Sequence, residues 1–147
     1  MNPMYDDILV PTDGAESMDA VVERAVDIAA QRGATVHALS VIDTEVFLTL
    51  EDHLTDAVDE ELTANADRAV ERVASAATEA GIEHDTAIRR GRPGEEIRRY
   101  AEEIDADLLV MGTRRSDEPE RRMLGSVSQD VISEAARPTL VVPVESS

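Results

Sequence analysis

The sequence predicts an α/β domain: a five-stranded parallel sheet with helices on both faces. Three observations predict it. Five short apolar runs alternate with segments of helical periodicity along 147 residues, and each crossover between parallel strands must carry the chain back over one face of the sheet. Two of the runs, Ile8-Leu9-Val10 and Leu108-Leu109-Val110-Met111, are continuously apolar, as strands buried on both faces are. Glycine follows the first two helical segments, at Gly33 and Gly81, where a left-handed residue stops a helix. The length suits one domain, residues 1–147, large enough to bury a core.

Taken in order, Asp7 to Pro11 is the first strand, and it runs into the turn cluster Thr12-Asp13-Gly14. Ser17 is placed to cap the helix whose buried face is Met18, Val21, Val22, Ala25, Val26 and Ala29. Thr35 to Ile42 is a second strand. A long helix from about Asp52 to Ala80 carries Leu54, Val58, Leu62, Ala66, Ala69, Val70 and Val73 on one side. Its many alanines permit close approach to a sheet. Ile82 to Ile88 alternates in polarity, which predicts a half-exposed edge strand. Gly91-Arg92-Pro93-Gly94 reads as a turn, and Ile97, Tyr100, Ala101 and Ile104 mark a short helix after it. Leu108 to Met111 is the fourth strand, with a polar loop opening at Gly112. Val127, Val131, Ile132 and Ala135 mark a fourth helix, stopped by Pro138, and Thr139 to Val142 forms the fifth strand, ending at Pro143.

Composition narrows the function. There are 32 acidic residues against 14 basic, a net charge of −18, and every basic residue is arginine. Such a chain is repelled by nucleic acid and by anionic membranes. The missing lysine excludes the Gly-Lys-Ser/Thr of a P-loop and Schiff-base chemistry. The missing cysteine excludes disulfides, thiolate metal sites and a cysteine nucleophile. Gly-x-Gly-x-x-Gly and Gly-x-Ser-x-Gly are both absent, against a dinucleotide enzyme and a hydrolase elbow. His37, His53 and His84 are scattered at no ligand spacing. No run of 18 apolar residues and no leader-like N-terminus is seen, so the expectation is a cytoplasmic protein without a membrane span. The acidic excess without lysine resembles proteins of haloarchaea, whose self-repulsion molar salt screens.

Residues 107–128 combine a buried strand, a loop of roughly a dozen residues, and Gly125-Ser126 at the start of a helix. A helix N-terminus presents unpaired N–H groups and the positive end of the dipole, and so attracts phosphate. Gly125 admits close approach, and Ser126 either caps the helix or donates to a phosphate oxygen. Asp13 at the end of the first strand is an acceptor for a ribose hydroxyl, a ligand for Mg²⁺, or a turn-capping residue. Arg114, Arg115, Arg121 and Arg122 add positive charge, for a phosphate or for the neighbouring Asp117, Glu118 and Glu120.

The stretch resembles the signature of the universal stress protein family: a strand ending in Met-Gly, then Gly-x2-Gly-x9-Gly-Ser/Thr. Met111-Gly112 and Gly125-Ser126 match with the spacing kept, and Arg115 stands at the middle glycine. The likeness runs from Ile8-Leu9-Val10-Pro11-Thr12-Asp13 to Val141-Val142-Pro143. It implies strand order 3-2-1-4-5, in the manner of the adenine nucleotide alpha hydrolases. It also implies a site for ATP or AMP, with a divalent ion such as Mg²⁺, built from Pro11, Thr12, Asp13, Val41, Met111, Gly112, Arg115, Gly125, Ser126, Val127 and Ser128. A homodimer through the last strand, and a role as stress sensor or regulator acting on a partner protein, are implied as well. The alternative is a dimeric interaction module without nucleotide. No general base lies beside the motif, so hydrolysis is expected to be at most slow.

Overall fold

The computed structural model describes residues 6–13, 18–115 and 137–145, with backbone alone for 113–115 and 144–145. The elements are β1 (Asp7–Pro11), α1 (Asp19–Arg32), β2 (Thr35–Asp43), a 3₁₀ helix (Thr44–Thr49), α2 (Asp52–Glu79), β3 (His84–Gly91), α3 (Pro93–Glu103), β4 (Leu108–Arg115) and β5 (Thr139–Glu145). The strands form one sheet, all parallel, in the order β3-β2-β1-β4-β5. The fourth expected helix, the Ser17 cap and Gly14 lie outside the described residues.

Strand parity sorts the core into two layers. Ile8, Val10, Val36, Ala38 and Val110 face α1 and α2, where they meet Val21, Ala25, Ala29, Val70 and Val73. Leu9, Leu39, Leu109 and Met111 face α3 and pack against Ile97, Tyr100 and Ala101. Burying one leucine of this kind stabilises the fold by about 1.5–3 kcal/mol. Both long helices close as the glycines predict. Ala34 N–H donates to Ala29 O at 3.0 Å past Gly33. Gly81 donates to Thr78 O at 3.0 Å and Ile82 to Ala77 O at 2.9 Å, the pairing that a left-handed residue after a helix allows.

The bounds of β3, β4 and β5 differ from expectation, because hydrogen bonding and not polarity sets them. β3 begins at His84, since the Ile82 N–H is spent on the end of α2. It runs on through Arg89 and Arg90 to Gly91, held by the register Val41↔Arg89, Ile42↔Arg90 and Asp43↔Gly91. The expected turn at 91–94 is therefore the last strand residue followed by α3, with Pro93 at its first position, where a missing N–H costs nothing. β4 does not give way to a loop at Gly112. It continues to Arg115 against β5, with Gly112↔Val142 and Arg115↔Glu145, and β5 passes through Pro143, as an edge strand can.

Length sets one further feature. α2 has 28 residues, and its buried positions begin only at Ala66. Asp59 and Thr63 lie at the C-terminal end of β3, so the residues of α2 before them, at ~1.5 Å each, extend beyond the strand ends. Arg90 at the end of β3 braces this overhang, reaching Asp59 and, at 3.0 Å, the Thr63 hydroxyl.

Candidate functional site

β1 and β4 are neighbours at the point where the winding reverses, and open parallel sheets bind ligands there, beyond the strand C-termini. The two strands are stitched at the bottom. Asp107 Oδ2 accepts the backbone N–H groups of Asp6 and Asp7 at 2.9 and 3.0 Å. Their pairing then covers only Ile8↔Leu108 and Leu9↔Leu109. Above that level each strand keeps its outer partner, β1 as far as Pro11↔Leu39 and β4 as far as Arg115↔Glu145. The crevice is this parting.

The register locates the expected residues that fall on β1, β2 and β4. Carried one and two residues past Pro11, it sets Thr12 level with Gly112, and Asp13 level with Val41 on β2 and Thr113 on β4. Thr12 is buried, and its N–H donates to Leu39 O at 2.8 Å, which prolongs the line of β1. Asp13 is exposed at the mouth. By strand parity Pro11, Val41 and Met111 share the face that α3 covers. Val41 is half-buried against that layer, and the Met111 side chain lies fully within it. Met111 is thus core, and only its backbone borders the crevice. Arg115 ends β4 in extended strand backbone, so nothing in its φ calls for the glycine expected there. Gly125, Ser126, Val127 and Ser128 lie outside the described residues, as do Arg121 and Arg122. Among the described residues no three carboxylates or histidines gather as a metal cradle. A Mg²⁺ ion held by one carboxylate and phosphate oxygens needs none.

The sequence reading passed over Arg90 and Arg92. They sit at the top of β3, beside the end of β2, and tie the rim to α2 and to Glu45 of the 3₁₀ helix, the latter at 3.9 Å. The signal was their position flanking Gly91, a strand end. At the opposite end of the α3 face, His37 Nε2 meets Asp7 Oδ1 at 2.9 Å, while its buried Nδ1 has no partner among the described residues. Burial and the Asp85 carboxylate push the Tyr100 hydroxyl above its ordinary value of 10.0, so it stays protonated.

The sequence profile of the universal stress protein family matches residues 4–143. A universal stress protein of Methanocaldococcus jannaschii, MJ0531, is 36% identical over 140 residues, 95% of this chain and 82% of that one. The solved structure of the hypothetical protein MJ0577, undertaken to assign its biochemical function, superposes with a TM-score of 0.81 at 28% identity, covering 98% of this chain and 99% of that one. A universal stress protein in complex with cAMP superposes with a TM-score of 0.71 at 26% identity, covering 95% and 97%.

Proposed function

We propose that this chain, which belongs to the universal stress protein family, binds an adenine nucleotide in the crevice between β1 and β4 and works as a nucleotide-dependent regulator. One observation carries the reading: β1 and β4 part above Leu9↔Leu109, and the register carried on past Pro11 sets Asp13 level with Val41 and Thr113. The cAMP held by a 26%-identical neighbour of the same fold supports adenine nucleotide as the ligand class. ATP with Mg²⁺ is the form we favour. In this reading Val41 walls the base, Asp13 takes the ribose or the metal, and Gly112, Gly125, Ser126, Val127 and Ser128 receive the phosphates. We take binding, with at most slow hydrolysis, as the output.

Arg115 enters as a phosphate ligand. Its strand backbone has no need of a glycine, and a guanidinium suits phosphate oxygens. Arg115→Gly is expected to weaken ATP about tenfold and AMP much less, by calorimetry in molar KCl with Mg²⁺. Tighter ATP binding in the variant would make the side chain an obstruction. No heat from the unaltered chain, checked free of carried-over nucleotide, would leave the interaction module as the function.

Among the described residues the outer edge of β5 has no partner strand, and Leu140 on it is exposed. Such an edge invites a second copy, so we expect a homodimer through β5. A monomer mass by light scattering at working salt contradicts it. We read the charge of −18 as adaptation to molar salt in the cytoplasm. The melting temperature should climb as KCl goes from about 0.1 to 2 M, because the Debye length shrinks from about 10 Å to a few. A flat response rules this out.

A further inference from the structure

Large apolar side chains are exposed at four described positions, and three of them, Val46, Leu48 and Leu54, fall within nine residues at the top of β2. Leu48 is 82% exposed. The segment is nonetheless built, not loose. Asp43 Oδ1 caps it by accepting the Glu45 N–H at 3.0 Å, and the Leu50 N–H closes it onto Phe47 O. Arg92 and Arg90 tie the 3₁₀ helix and the α2 overhang to β3. Along the overhang, Leu54, Val58 and Leu62 recur every four residues, and none of them is buried. A stripe of that spacing is what a second helix packs against.

Charge selects the occupant, because charges brought together across a buried interface are screened by salt much less than exposed ones. Residues 43–61 hold eight acidic side chains and no arginine, far denser than the 32 in 147 of the whole chain. The two arginines that reach in, Arg90 from β3 and Arg92 from the start of α3, face Asp59 and Glu45. A second copy would bring the same carboxylates face to face, and anionic membrane or nucleic acid would be repelled alike. An apolar stripe flanked by cations would gain on both counts.

We propose that the 3₁₀ helix and the α2 overhang form a docking surface for a cationic amphipathic helix of a partner protein. The surface starts two residues beyond Val41, at the rim of the crevice, so an occupant sits where bound nucleotide can influence it. The docking itself stands without nucleotide.

The test uses the full chain and a labelled helical peptide of about 20 residues, long enough to hold helix, with leucine at i, i+3, i+4 and i+7 and arginine elsewhere. Fluorescence anisotropy should show it binding at least ~10 times more tightly than a scrambled peptide of the same composition. The Leu48→Ser/Leu54→Ser variant, altered only at exposed positions, should melt as the unaltered chain does and lose that preference. Equal binding of patterned and scrambled peptides overturns the proposal, as does a preference that survives in the variant. So does a change from dimer to monomer in the variant by light scattering, which would make a second copy the occupant.

Discussion

Gly91→Ala is expected to lower the stability of the fold by about 2 kcal/mol, through a backbone that alanine cannot relax into. Gly91 has φ +149°, a region that L side chains rarely adopt. It is held there from both sides. Its strand pairs with β2 as far as Asp43↔Gly91, and Pro93 fixes the start of α3 two residues on. A Cβ would also stand 3.0 Å from Cγ and Oε2 of Glu96, whose carboxylate meets Arg99 Nη1 at 2.6 Å. The two causes separate in the double variant Gly91→Ala/Glu96→Ala. It relieves the contact and leaves the φ. We expect the single variant to melt roughly 6 °C lower for a domain of this size, and the double variant to recover less than half of that. Full recovery would mean that the contact dominates; no loss at all would mean that the turn rearranges freely.

The same turn explains how much the sequence could disclose. β1 is legible to the residue, because an apolar run ends there in a turn cluster. The β3 and β4 ends are not. Arg89-Arg90-Gly91 and Gly112-Thr113-Arg114-Arg115 look like loop, since charged and glycine residues on an exposed strand end carry no burial pattern. Only the neighbouring strand holds them in line, β2 for the first and β5 for the second. Helix closure at Gly33 and Gly81 was readable because it depends on local backbone freedom alone. The parting of β1 from β4 was not, since it arises from two pairings that continue while a third stops. The overhang of α2 was half-visible. Its length stood in the sequence, but where its burial begins depends on where the sheet ends. Asp13 and Gly112 are candidates through motif and topology together. Arg90, whose role is to brace the rim, carries no motif.

Asp13→Ala is expected to weaken nucleotide binding about 10- to 100-fold, the loss that follows removal of a charged hydrogen-bonding partner. Asp13 is the carboxylate on the level shared by Val41 and Thr113, and it is exposed at the crevice mouth. Its two roles give different patterns. A ribose acceptor serves ATP and AMP alike, so both should weaken equally, with or without Mg²⁺. A metal ligand serves ATP with Mg²⁺, so AMP should be spared and chelation should reproduce the loss. Calorimetry with the two nucleotides, each with Mg²⁺ and with chelator, reads all four cases. Asp13→Asn refines the answer: the amide keeps an acceptor for a hydroxyl but is a poor ligand for Mg²⁺, so recovery in this variant favours the ribose. Unchanged affinity in Asp13→Ala under every condition would remove Asp13 from the site and leave it as the cap of the turn after β1. The crevice would then have to bind through backbone and phosphate contacts alone, and the level shared by β2, β1 and β4 would no longer mark the position of the sugar.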